Sequence, residues 1–164
     1  MRFSPLVLML GLATSTFAIS AAGQRPDDQI APRSLEFSKR GEAALAAGNY
    51  LAADDALETA LVLDPRNRRA FTTMAKVAIK QKLFGQAIRL TNKALSLEPT
   101  DRDAMAIQGE AMVEAGAVPR ARDNLVKLQK LCAGPCPQAA ALSAAIARGP
   151  ALAAATPATT KKVN

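Results

Sequence analysis

The sequence predicts an all-α protein, an α-solenoid of three helix pairs closed by a C-terminal capping helix. Three observations predict it. Leu61-Val62-Leu63-Asp64-Pro65 and Leu95-Ser96-Leu97-Glu98-Pro99 echo each other at a spacing of thirty-four residues. Apolar residues recur at three and four, in Phe71, Met74, Ala75, Ala78 and Ile79 and again in Phe84, Ala87, Ile88, Leu90, Ala94 and Leu95, the period of a half-buried helix. No segment reads as a strand. A unit of this kind buries its apolar faces only against its neighbours, so an array of them offers an extended binding surface and not a reaction site.

The chain opens with Arg2, an apolar stretch from Leu6 to Leu12 that continues less purely to Ile19, and small residues that suit cleavage after Ala22 or Ala18. Residues 1–22 are therefore expected to be a secretory signal peptide. An uncleaved anchor is disfavoured, because a span needs ~20 mostly apolar residues and Thr14, Ser15, Thr16 and Ser20 dilute this one. Export, with a periplasmic destination, follows as an expectation, as does the absence of an integral membrane span once the signal is removed. Residues 23–33 are polar with two prolines and read as a leader.

The repeat units are expected over 34–67, 68–101 and 102–135. Superposing the first two without a gap aligns Phe37 with Phe71, Ala44 with Ala78, Tyr50 with Phe84, Ala53 with Ala87 and Ala60 with Ala94. The third places Met105 under the Phe pair, Gly109 under Gly41 and Ala75, and Ala121 under the two alanines. Gly48-Asn49 and Gly116 break their helix pairs as left-handed cap residues do. Pro65 and Pro99 stop the second helices, while Pro119 falls in a first turn, where the missing amide costs nothing.

These residues resemble the tetratricopeptide repeat (TPR) family: a bulky residue at the fourth place, Gly or Ala at the eighth, Ala at the twentieth and twenty-seventh, Pro at the thirty-second. Units one and two match closely. Unit three departs at Leu128, where a small residue is usual, and at Ala133, where proline is usual. Small residues there allow close helix approach, so Leu128 implies a different neighbour. Residues 136–148 supply one, an expected capping helix with Pro137 in its first turn and Ala139, Leu142, Ala145 and Ile146 on one face. Beyond it, 149–164 is Ala-, Thr- and Pro-rich and reads as a disordered tail.

The resemblance implies that the first helix of each pair lines a concave groove that holds an extended or helical segment of another protein. Carried over by position, the groove residues are Lys39 and Glu42, then Arg69, Thr72, Thr73, Lys76 and Lys80, then Asp103, Ile107, Glu110 and Glu114. One subgroup of the family clamps the terminal carboxylate of a chaperone tail with Lys, Asn and Arg. Here the corresponding positions are Ser38, Glu42, Thr73, Asp103 and Ile107, which cannot do that chemistry, and Asp103 would repel a carboxylate.

The formal charge of +7 is uneven: unit one has three Lys or Arg against six Asp or Glu, unit two seven against two. The second repeat could therefore lie against acidic envelope material, an alternative in which the chain is a structural or surface-associated component. Nucleic acid is not expected, since there is one tyrosine, no tryptophan, and the aromatics of the repeats sit at core places. The sequence sets no oligomeric state.

No enzyme activity, metal or cofactor is expected. The chain has no histidine, which removes the commonest general base, and it shows no phosphate loop or nucleophile motif. Cys132 and Cys136 are separated by three residues in a Gly-Pro turn. Export makes a disulfide between them possible, with the role of fixing how the cap leaves the array. A redox pair or two soft copper ligands stay open as lesser alternatives.

Overall fold

The computed structural model describes residues 29–150; the expected signal peptide, most of the leader and nearly all of the tail lie outside them. The described residues form seven helices and no strand: α1 Pro32–Ala46, α2 Tyr50–Leu63, α3 Arg68–Lys80, α4 Phe84–Leu97, α5 Arg102–Glu114, α6 Val118–Leu131 and α7 Pro137–Arg148. Sequential helices pack as pairs, α1 with α2, α3 with α4 and α5 with α6, and the first helices of successive units also touch, α1 with α3 and α3 with α5. This is the all-α solenoid that the thirty-four-residue echo implies.

Each boundary has a local cause. Asn49, Asn67 and Asp101 precede α2, α3 and α5, and their side-chain oxygens accept from the amides of Ala52 at 3.2 Å, Ala70 at 3.2 Å and Ala104 at 3.0 Å, each satisfying an amide that the helix start leaves unpaired. Within each unit the chain turns at the same place through a left-handed residue, Gly48 at φ 74°, Lys82 at φ 61° and Gly116 at φ 78°. Glycine takes this conformation freely; Lys82 takes it at a cost. Pro119 and Pro137 both lie in the first turn of their helices.

Small residues set how closely the layers approach. Ala53, Ala60, Ala87, Ala94 and Ala121 are fully buried at the repeat's twentieth and twenty-seventh places. A methyl on Gly41 would stand 2.5 Å from the Cγ of Leu57, so this glycine is the hole into which the leucine of α2 fits. In unit three the corresponding glycine receives a different knob. A methyl on Gly109 would stand 2.6 Å from both terminal carbons of Leu142, on α7.

That contact explains the departure at Leu128. Its side chain is fully buried in one cluster with Met105, Met112, Val113, Ala121, Ala139 and Leu142, and α7 packs on both α5 and α6. A leucine replaces the usual alanine because the next neighbour is the cap. Burying a leucine side chain stabilises by ~1.5–3 kcal/mol, so Leu128 and Leu142 make sealing the last unit favourable.

The polar leader ends sooner than expected. Helix α1 begins at Pro32, and Ile30 is buried. The anchor is Asp64, which closes α2: one carboxylate oxygen accepts from the amide of Ala31 at 3.1 Å and the other from the amide of Arg66 at 3.0 Å. The Arg66 guanidinium bonds the same carboxylate at 2.9 Å and the carbonyl of Gln29 at 3.2 Å. Charge and hydropathy mark 29–33 as leader, whereas long-range hydrogen bonds fasten it.

Candidate functional site

Two adjoining clefts run along the first helices. The first, of about 680 Å³, is polar and is lined by Glu42 of α1, by Arg68, Arg69, Thr72, Thr73 and Lys76 of α3, by Glu98, Thr100 and Asp101 of the turn after α4, by Arg102 and Asp103 of α5, and by Gln138 of α7. The second, of about 550 Å³, lies between α5 and α7 and has an apolar floor of Ala106, Ile107, Ala141, Leu142 and Ala145, rimmed by Lys76, Asp103, Glu110 and Arg148. Lys76, Asp103 and Gln138 border both.

Of the sequence-predicted groove residues, Glu42, Arg69, Thr72, Thr73, Lys76, Asp103, Ile107 and Glu110 line one cleft or both. Lys39, Lys80 and Glu114 line neither. Three of those brought together are largely withdrawn: Thr72 is 8% exposed, Thr73 3% and Ile107 6%, the last packed with Ala75, Ala78, Ala87 and Ala111. They shape the floor more than they offer functional groups.

Electrostatics in the first cleft are largely internal. Arg69 makes a two-pronged ion pair with Glu42 across α1 and α3, its Nη2 standing 2.6 Å from Oε2. Arg68 reaches Asp101 at 3.1 Å, tying the start of α3 to the start of α5. Gln138 donates to Asp103 at 2.9 Å, joining the cap to the groove wall. Lys76 is exposed where the clefts meet and makes no ion pair among the described residues. Among the described residues the clefts therefore offer three exposed cations without an ion pair, Lys76 where they meet, Arg102 in the first and Arg148 on the rim of the second, beside a strip of apolar surface.

The positions that the sequence resemblance aligned with a carboxylate clamp are all otherwise engaged. Ser38 is buried and accepts from the side-chain amide of Asn67 at 2.8 Å, Glu42 is paired with Arg69, Asp103 accepts from Gln138, and Thr73 and Ile107 are packed.

Sequence reasoning missed the contribution of α7. The carry-over stopped at three units, yet α7 starts thirty-five residues after α5, as α5 starts thirty-four after α3, so it takes the place of the first helix of a fourth unit. Extending the thirty-four-residue period once more from Asp103, Ile107, Glu110 and Glu114 would have found Pro137, Ala141, Ala144 and Arg148, all of which line the second cleft. The helix-end residues Arg68, Glu98 and Arg102 had no such signal, because their place in the cleft depends on how the turns between units pack.

Cys132 and Cys136 are joined by a disulfide, with Cα atoms 5.9 Å apart. Among the described residues no three His, Cys, Asp or Glu side chains gather as a metal site would require, and no helix is long and apolar enough to cross a membrane.

The architecture is that of a TPR domain. Solved structures of the same fold include the first TPR domain of Spaghetti (RPAP3) bound to an HSP90 peptide, with a TM-score of 0.64 and 22% identity over 74% of this chain and 96% of that one. The Sgt2 TPR domain of Aspergillus fumigatus has a TM-score of 0.65 and 20% identity, covering 72% of this chain and 80% of that one. The TPR2B domain of yeast Sti1 in complex with an Hsp70 peptide has a TM-score of 0.65 and 17% identity, covering 72% and 98%. At these identities the likeness is one of fold. No protein-family model and no curated protein matches the sequence.

Proposed function

We propose that the chain is an exported, non-catalytic adaptor of the cell envelope that holds a segment of another protein along α3, α5 and α7. The observation that carries this reading is the junction of the two clefts, where the ammonium of Lys76 stands beside an apolar wall whose accessible part is Ala106, Ala141 and Ala144. A segment with a carboxylate next to apolar side chains suits it, and Glu110 on the far rim suits a basic residue further along. Solved relatives in fold carry peptides of HSP90 or Hsp70. Here the clamp positions are engaged or packed, which favours an internal segment over a free chain terminus.

The alternative, adhesion of the basic second repeat to acidic material, draws less support. Arg68 and Arg69 face Asp101 and Glu42 and are partly neutralised within the fold. A disulfide between Cys132 and Cys136 fits an oxidising compartment and a structural role better than a copper site.

Selection from a displayed random-peptide library tests the groove. Binders should share an acidic residue followed by apolar ones, and should lose at least tenfold in affinity for Lys76→Glu with Glu110→Lys. Binders indifferent to that double substitution would sink the reading. Export is checked separately by N-terminal sequencing of protein from the source cells, with a start after Ala18 or Ala22 expected and a start at Met1 contradicting it.

A further inference from the structure

The second helices carry a pattern of their own, away from the groove. On α2, Leu51, Asp55, Glu58 and Val62 are all exposed and stand four, three and four residues apart, in one stripe. Leu51 is 75% exposed and Val62 84%. The helix holds Asp54, Asp55 and Glu58 and no basic residue. On α6 the exposed Arg122, Val126 and Lys130 succeed one another at four-residue steps, and Val126 is 49% exposed. That helix holds Arg120, Arg122, Lys127 and Lys130 against Asp123 alone. Between them, α4 carries Arg89 and Lys93 as its only charges, and none of the exposed large apolar side chains lies within it.

The outer face thus runs from acidic at the first unit to basic at the third, with bare apolar side chains at both ends. We propose that it joins copies of the chain head to tail, α2 of one copy seated on α6 of the next. Asp55 and Glu58 then meet Arg122 and Lys130, while Leu51 and Val62 cover Val126 and Leu131. Charge complementarity selects this partner, and the apolar side chains at either end supply area to bury. A twofold dimer through the same face would set α4 on its own copy, bringing Arg89 and Lys93 against the same two cations. The contact is accordingly heterologous, each copy keeping one acidic and one basic end, and assembly stays open-ended. The groove takes no part in it, so a chain of copies would present its grooves in series.

Light scattering of the full chain over a concentration series reads this out. At low ionic strength the average mass should climb with concentration, and it should return to the monomer near 1 M salt, where the Debye length is ~3 Å. D55K/E58K and R122E/K130E should each remain monomeric, and an equal mixture of the two should associate again, since each offers what the other needs. L51S/V62S should weaken association at least tenfold. Thermal melts within a few degrees of wild type establish that the surface variants are folded. A wild type that is monomeric at about 1 mM, whether or not it binds anionic vesicles, overturns the proposal. A mixture that stays monomeric, or a Lys76→Glu variant that loses association as fully as the charge reversals, does the same.

Discussion

Asn67 does three things with one side chain. Its oxygen caps α3, and its amide nitrogen donates to the hydroxyls of Ser34 and Ser38, both at 2.8 Å, with every partner buried. Asn67→Ala removes a cap, at ~1 kcal/mol, and leaves a buried hydroxyl short of a partner, at ~1–3 kcal/mol. A loss of about 3 kcal/mol in urea unfolding is therefore expected, and a loss below about 1 kcal/mol would show that water replaces the network. Asp64 gives a pH signature. Burial alone would raise its carboxyl, but hydrogen bonds from the side chain and backbone of Arg66 and from the amide of Ala31, with the guanidinium charge, hold it below the ordinary value. A carboxyl lowered in the folded state stabilises fully above its unfolded pKa of about 3.9 and loses that contribution as pH falls through the folded one. Asp64→Asn should thus be destabilising at pH 7, with the gap from wild type closing below about pH 4. Neither network was legible in the sequence. Ser34, Ser38, Asn67 and Asp64 look like ordinary helix-end residues there, and their importance comes from contacts spanning about thirty residues, which no local period encodes.

Among the elements, the three turns between paired helices offer a direct comparison. Gly48 and Gly116 take the left-handed conformation without strain, whereas Lys82 takes it with a side chain. Lys82→Gly should stabilise by ~0.5–1 kcal/mol, the strain relieved less the extra entropy of glycine in the unfolded chain. The cap offers another. Leu142→Ala should cost ~2–5 kcal/mol. Gly109→Ala should cost ~1–3 kcal/mol by overpacking against Leu142, yet in the Leu142→Ala background the same change should become neutral or stabilising, because the new methyl enters the vacated space and alanine favours the helix. Additive effects in that cycle would mean that the knob-and-hole contact is not what seats α7. Breaking the Cys132–Cys136 bridge should cost no more than about 2 kcal/mol, since the loop it closes is very short. Helix positions were legible because small and bulky residues repeat at fixed places. The start of α1 was not, because Ile30-Ala31-Pro32 is too short an apolar run to show a period. The role of α7 was half legible: Leu128 announced a new neighbour, but not that this neighbour also walls the groove.

For the whole molecule, the sequence conveys many of the first-helix residues that line the two clefts. It does not convey how the charges there spend themselves. A count of Lys and Arg makes the second repeat look like a basic patch, and the fold turns Arg68 and Arg69 onto carboxylates of neighbouring units, leaving Lys76 as the exposed cation at the meeting point of the clefts. On the proposed reading the groove suits a mixed partner, part acidic and part apolar, which is what would distinguish a protein segment from a polyanion. The measurement that bears on it most directly is site-specific photo-crosslinking in the source cells, with the reactive residue at Ala106 in the groove or at Ser96 on the outer face of α4. A discrete protein adduct from Ala106, absent from Ser96 and lost when Lys76→Glu is added, is the expected result. Equal adducts from both positions, or an Ala106 adduct untouched by Lys76→Glu, would contradict a groove that binds a protein segment.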